Sequence, residues 1–357
     1  MTTPKRQVLY RKKPLFGFDI GNGSIKVVQF THTDGERVIL DGYGSTQFET
    51  KAMQDGEITD YELVAKTTKE LFESGITGSI STSCIAASLP VSHSFSRIIA
   101  LPLMDQKDVL EAIKLEAEQY IPIPIQDLYI DYQLIEKKTD TLEYVVAATP
   151  KRVADSYMRL FEILGLEAVI MEPSILSVTR LVRHAEESSI PTLVIDCGSN
   201  TTDLIIYNRE AVRVTGTIKF GGNTITEALM SSMNLNEHQA VVIKSKYGVE
   251  ASKKQAEIME ALDVPLKSLA NDIKKIVRYF EDREKDEKVE QIIILGGGAN
   301  LPGFSTYLTS VLRIPTRLCG IWQNASFEDL QPPNQLESSM YATAAGLALI
   351  KPGEVTA

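Results

Sequence analysis

Cysteine is scarce in this chain: Cys84, Cys197 and Cys319 are the 3 among 357 residues. They are odd in number and far apart, which excludes a disulfide framework and a thiolate metal site. Histidine is as sparse, 4 in all and scattered singly, so a structural zinc site has no ligand set. No run approaches the roughly 18 apolar residues needed to span a bilayer. Residues 1–14 lack the apolar core of a signal peptide, and a cytoplasmic location is expected. The net charge of −10 argues against a surface built to neutralise nucleic-acid phosphates. It leaves nucleotide binding open, because a nucleotide arrives with Mg²⁺ and is held largely by backbone dipoles. With 43% hydrophobic and 24% charged residues, the chain is an ordinary globular sequence, long enough for two or more domains.

What the chain does have is glycine in three telling places. Phe16-Gly17-Phe18-Asp19-Ile20-Gly21-Asn22-Gly23-Ser24-Ile25-Lys26-Val27 reads as a strand, a tight turn and a returning strand. Gly21 and Gly23 permit positive φ and close backbone approach. Such a turn aims several N–H groups at one point, which suits a phosphate. Asp19 could hold a hydrated Mg²⁺, and Lys26 could reach the phosphate charge. Alone, the stretch reads equally well as an ordinary β-hairpin.

A second copy raises the phosphate reading. Leu193-Val194-Ile195-Asp196-Cys197-Gly198-Ser199-Asn200-Thr201-Thr202-Asp203-Leu204 is again strand, Asp-x-Gly turn, strand. Val212–Thr217 follows it as Val38–Tyr43 follows the first. Two copies of a hairpin–strand–helix unit suggest duplicated α/β domains. Their loops could clasp one phosphate chain from both sides of a cleft. A third loop, Gly296-Gly297-Gly298-Ala299-Asn300, lies between a strand, Gln291–Leu295, and a helix, Phe304–Leu312. It marks a close backbone approach to something flat or charged.

Between these landmarks the texture changes. Residues 1–13 carry Lys5, Arg6, Arg11, Lys12 and Lys13 without an acid, the pattern of a disordered tail or a weak contact with an acidic surface. Residues 91–148 look inserted. They hold a helix capped by Asp105, with Val109, Ala112, Ile113 and Tyr120 on one face, and two strands near Leu128–Ile135 and Leu142–Ala148. Ile121-Pro122-Ile123-Pro124 ends that helix, and an exposed turn there could dock a partner peptide. Thr149-Pro150 is expected to open the next helix as N-cap and first residue. Its apolar face is Val153, Tyr157, Leu160, Phe161 and Leu164. Residues 224–288 are helical, 319–338 irregular, and Ser339–Ile350 an Ala-rich closing helix.

Asp-x-Gly twice, then strand, Gly-Gly-Gly and helix, resembles the nucleotide-binding fold of actin, Hsp70 and sugar kinases. Gly221-Gly222-Asn223-Thr224-Ile225-Thr226 and Ile243-Lys244-Ser245-Lys246-Tyr247-Gly248 are similar to second-domain signatures of FtsA-like proteins. Glu116-Ala117-Glu118-Gln119-Tyr120-Ile121-Pro122 with Asp131-Tyr132, Asp155-Ser156-Tyr157 and Glu172-Pro173 resemble the PilM family of type IV pilus assembly. So do Gly296–Gly303 and Tyr341–Ala348. The likeness covers about residues 14–350.

The resemblance implies an α/β, actin-like fold of duplicated ribonuclease-H-like domains with two inserted subdomains. Residues 14–90 and 149–189 would form the first large subdomain, and 91–148 the inserted, partner-binding lobe. Residues 190–225 and 289–350 would form the second large subdomain and 226–288 its small one, leaving tails at 1–13 and 351–357. It further implies ATP or ADP with Mg²⁺. Asp19, Gly21, Asn22, Gly23, Ser24 and Lys26 match the first phosphate loop; Asp196, Gly198, Ser199, Asn200, Thr201 and Thr202 match the second. Asp19 and Asp196 would hold Mg²⁺ mainly through waters. Gly297, Gly298, Ala299 and Asn300 match the adenosine motif, Lys244 the adenine side, and Glu172 the residue that orients the attacking water.

The implied partner is the cytoplasmic N-terminal peptide of the membrane protein PilN. Tyr120, Ile121 and Pro122 are candidates for its groove. Other inner-membrane pilus proteins and self-association are further expected contacts, with the membrane reached only through partners. Two departures from FtsA stand out. Val241 follows Ala240 where FtsA-like proteins often carry an acid, which bears on the assignment at Lys244. Lys351–Ala357 lacks their amphipathic membrane helix, which favours pilus over division. The alternatives are an FtsA-like polymerising scaffold and a small-molecule kinase of the same fold, for which Glu172 is the available base. A slow ATPase activity is compatible with the pilus reading, whose main role is assembly.

Overall fold

The computed structural model describes residues 14–33, 35, 37–186, 190–208, 211–284 and 286–351. Among these, two mixed sheets form the frame. In spatial order the seven-stranded sheet runs Glu167–Pro173, Cys84–Leu89, Phe16–Gly21, Ser24–His32, Val38–Gln47 and Ala325–Ser326, with Ile76–Gly78 also pairing to Val38–Gln47. The five-stranded sheet runs Ala211–Ile218, Thr202–Asn208, Thr192–Cys197, Gln291–Leu295 and Thr316–Leu318. In each, a hairpin lies antiparallel, and its first strand has a parallel neighbour on the other side. The expected duplication is present at the level of strand order.

Strand alternation decides which side chains meet. Phe16, Phe18 and Ile20 point to one face, where they pack with Val64, Leu71, Tyr157 and Phe161 of the helices Tyr61–Ser74 and Lys151–Leu164. In the second sheet Leu193, Ile195 and Cys197 point outward against Ile225, Leu266, Ile273 and Phe280. These come from Gly222–Met233 and the long helix Gln255–Arg283. The other faces turn toward each other. Between them lie the helices Ser174–Ala185 and Ala342–Ala348, in one core that includes Val28 and Phe30 from the first sheet and Val194 and Ile293 from the second. The lone tryptophan, Trp322, joins this core beside Phe30, Tyr43 and Tyr341.

The inserted lobe is a three-stranded sheet, Phe95–Pro102, Thr141–Pro150 and Leu128–Lys137, covered by the helix Gln106–Ala117. Ile99, Leu101, Val109, Ile113, Tyr144 and Val146 make its core. Three local expectations need correction. The strand Phe95–Pro102 was not among those expected. Thr149 and Pro150 finish a strand, and the helix begins at Lys151; the Thr149 hydroxyl donates to Ser94 Oγ at 3.0 Å. Ile121 is buried against Ala117, Leu128 and Ala148, so it cannot line an open ledge, although Pro122 is exposed.

Two pieces of residues 319–350 follow the second half in sequence yet pack on the first, although Cys319 and Ser339 remain hydrogen-bonded to Ile294 and Gly296 of the second. Ala325–Ser326 adds a parallel edge to Val38–Gln47, and the closing helix sits on Phe16–Gly21. Small residues make this docking close: a Cβ at Gly17 would run into the Ala344 carbonyl oxygen, and one at Gly346 into that of Ser177. The basic residues of 1–13 and the segment 352–357 lie outside the described residues.

Candidate functional site

Asp19 and Asp196 occupy equivalent places, each on the inward face near the end of the first strand of its hairpin. The sheets thus bring both carboxylates to the walls of one cleft of ≈ 1310 Å³. The hairpin loops meet across it, with Ser199 Oγ donating to the Asn22 carbonyl at 3.4 Å. Asp19 accepts from Lys26 Nζ at 3.1 Å and from Ser88 Oγ at 2.7 Å. The second loop is braced from the next helix: Gly222 N–H donates to Gly198 O and Asn223 N–H to Ser199 O, at 3.0 and 2.8 Å. Gly221 permits this approach, since a Cβ there would strike the Ser199 backbone.

The glycine run forms the third wall. Gly296 takes φ 83° and leaves no room for a Cβ beside Asp196, while a Cβ at Gly298 would strike Cys197 Sγ. Gly297 differs: a Cβ there would meet nothing within 4 Å and would project into open space at the cleft. Missing side chains on this wall leave a flat backbone surface of the kind a nucleoside needs. Lys244 Nζ is held opposite by Gly222 O at 3.1 Å and Thr226 Oγ1 at 2.8 Å. Burial lowers its pKa.

Most of the expected residues therefore converge. Asp19, Gly21, Asn22, Ser24, Lys26, Asp196, Gly198, Ser199, Asn200, Thr201, Lys244, Gly297, Gly298 and Asn300 all line the cleft. Gly23 shapes the turn with φ 100° but does not line the cleft. Thr202 is buried on the outward face opposite Cys197 and donates to the Phe220 carbonyl at 2.8 Å, and Ala299 is buried in the second half's core. Glu172 requires correction. Its carboxylate is engaged by Arg180 at 2.7 and 2.9 Å, and Arg180 also reaches the Gly346 carbonyl at 3.0 Å. It anchors the closing helix, and it is absent from the cleft wall. Tyr120 is half-buried, with the Arg97 guanidinium 4.7 Å from its ring centroid.

Of the polar residues at the cleft that were not anticipated, two bear directly on the carboxylates. Ser88 completes the hydrogen bonding of Asp19. Asp203 sits directly across the hairpin from Asp196 and accepts from Thr217 Oγ1 at 2.7 Å. A signal for it existed, because a four-residue turn after Cys197 pairs residue 196 with 203. Two carboxyls facing each other in a cleft disfavour full ionisation. Asp196 is pushed up to about 7, by burial first, then by Asp203 and Asp19, with Lys26 acting in the other direction. Burial pushes Asp203 up to about 6, opposed by the hydrogen bond from Thr217. Such a donor set fits a hydrated divalent cation, which would hold both carboxyls ionised.

A carboxyl whose pKa is raised on folding takes up a proton as the chain folds. The native state then binds more protons than the unfolded chain from about pH 4 to about 7, and stability falls across that window as pH rises. Asp196→Asn is expected to become more stable relative to the parent protein as pH goes from about 5 to about 8. Thermal melts without Mg²⁺ at several pH values measure this. A difference that stays constant with pH would rule Asp196 out as the source.

A family profile described as type IV pilus assembly protein PilM matches residues 17–351. The chain belongs to the PilM family. Among curated proteins, this PilM-family chain is 25% identical over 272 residues to the cell division protein FtsA of Neisseria meningitidis serogroup B, covering 69% of this chain and 64% of that one. The FtsA of Borreliella burgdorferi matches at 28% over 153 residues, 37% of each. The chain thus spans less than two thirds of the curated relatives it matches. Among solved structures, the PilM-PilN type IV pilus biogenesis complex superposes with TM-score 0.82 at 23% identity, covering 97% of this chain and 100% of that one. MreB 5 of Spiroplasma citri bound to AMPPNP gives 0.55 at 13%, covering 94% and 95%. The fold is actin-like. No helix among the described residues is long and apolar enough to cross a membrane.

Proposed function

We propose that this PilM-family protein binds ATP or ADP with Mg²⁺ in the cleft, docks the N-terminal peptide of PilN, and couples nucleotide state to pilus assembly. The observation that carries the nucleotide half is the meeting of two equivalent hairpin loops, Asn22 against Ser199, with Asp19 and Asp196 at one cleft. The neighbour bound to AMPPNP supports it. Backbone N–H groups of the two loops would cradle the phosphates, and Lys26 would exchange its Asp19 partner for phosphate oxygen. Mg²⁺ would supply charge neutralisation between the carboxylates and the phosphates. With Glu172 occupied by Arg180, the cleft offers no carboxylate from that position to orient water, so nucleotide acts chiefly as a conformational ligand.

The PilN half is supported by the likeness to the PilM-PilN complex over 97% of this chain. Ile121 is unavailable, but the lobe exposes Leu103, Leu115, Tyr129 and Leu134. These offer an apolar surface to a peptide that must bury side chains of its own. A synthetic N-terminal PilN peptide is expected to bind the purified protein in calorimetry. Absence of heat both with and without Mg-ATP would overturn this half and leave the nucleotide half standing.

A further inference from the structure

The lobe is inserted into the first half, yet it also touches the second. On the first half's side, Tyr129 OH donates to Asp155 Oδ1 at 3.0 Å and stacks beneath Lys151. On the other side the lobe's edge strand Phe95–Pro102 runs beside Ala211–Ile218, the edge strand of the second sheet. There Thr215 Oγ1 donates to the Ser96 carbonyl at 3.2 Å. A β-bulge makes the main contact. The register steps from Ile206–Val214 to Tyr207–Val212, leaving Arg213 as the extra residue. Bulges re-aim side chains, and this one directs Arg213 at the lobe.

What it meets there is an unfavourable pair. Glu136 and Glu143 lie directly opposite each other in the lobe sheet, and like charges in that position repel. Arg213 answers both, at 3.6 Å to Glu136 and 3.4 Å to Glu143, and Lys138 takes the other oxygen of Glu143 at 2.5 Å. Arg213 and Glu143 are mostly shielded from solvent, at 16% and 14% side-chain exposure, so their attraction is less screened than that of a surface pair. Two residues farther along the same strand as Thr215, Thr217 donates to Asp203 at the cleft.

We propose that Arg213 and the Glu136–Glu143 pair form a latch that ties the inserted lobe to the second half and so holds the cleft closed. The lobe is fixed to one half, so separating the halves must break the contact to the other. The latch and a nucleotide then favour the same state, and each strengthens the other through the shared closure equilibrium. This inference rests on the nucleotide reading given above.

The test uses the full chain and a fluorescent ADP analogue with Mg²⁺. Arg213→Ala is expected to speed its dissociation by roughly fivefold or more, in the usual range of coupling between sites. Ser96→Cys with Thr215→Cys, oxidised to a disulfide, is expected to slow it, with reduction restoring the parent rate. Rates equal to the parent in both variants would overturn the latch. Failure of the parent protein to bind the analogue would instead count against the nucleotide reading. In that event hydrogen exchange of the nucleotide-free protein decides the latch: Arg213→Ala should raise exchange in both Phe95–Pro102 and Ala211–Ile218. Unchanged exchange in both strands would sink it.

Discussion

Asp196→Ala is expected to lose Mg²⁺-dependent nucleotide binding by about 100-fold or more while folding normally. Removing even an outer partner of a metal site costs roughly 10–100-fold in affinity, and Asp196 faces the cleft itself. The stability expectation runs the other way. Burial and the facing Asp203 and Asp19 raise its pKa to about 7, so its ionised form is held at a cost. Alanine relieves that cost, and the variant should melt no lower than the parent above about pH 7. Titration calorimetry with Mg-ATP, paired with a thermal melt, separates site from scaffold. Unaltered affinity in a well-folded variant would remove Asp196 from the site.

The second large effect concerns the closing helix. Gly17→Val should destabilise the protein by roughly 3 kcal/mol, at the upper end for overpacking, because the obstacle is backbone and cannot swing aside. The added atoms would meet the Ala344 carbonyl and the Ala348 amide. Ala342, Ala344, Ala345 and Ala348 are all buried, so the helix has no larger side chain to give up in compensation. A substitution at Gly165, where a Cβ meets nothing within 4 Å but φ is 69°, provides the contrast of local strain without a steric clash. Urea midpoints measure both. An unchanged midpoint for Gly17→Val would mean that the helix is not seated on Phe16–Gly21.

Legibility in the sequence followed the range of the interaction. The two hairpins and the glycine run were readable because their signals are local: alternation, Asp-x-Gly, and three consecutive glycines after an apolar strand. That they form one cleft rested on their repetition. Ser88 was invisible, since nothing local ties it to Asp19, sixty-nine positions away. Glu172 was misjudged because its role is set by Arg180, two helical turns later, together with a carbonyl near the end of the chain. Ile121 looked like part of a proline-punctuated ledge, but the lobe sheet folds over it. Ala325–Ser326 is too short for any periodicity to show, and only the finished edge of Val38–Gln47 makes it a strand.

The docking of residues 325–348 on the first half also bears on synthesis. A ribosome delivers the chain from its N-terminus, and domains commonly fold in that order. Here residues 14–186 emerge long before the helix that covers Val28, Phe30 and Leu40. Until that helix arrives, only Ser174–Ala185 covers the inner face of the first sheet, and its Val38–Gln47 edge lacks its last strand. The first half alone therefore leaves part of this apolar face uncovered, and the protein cut at its midpoint is expected to yield two pieces that complete that core only on meeting.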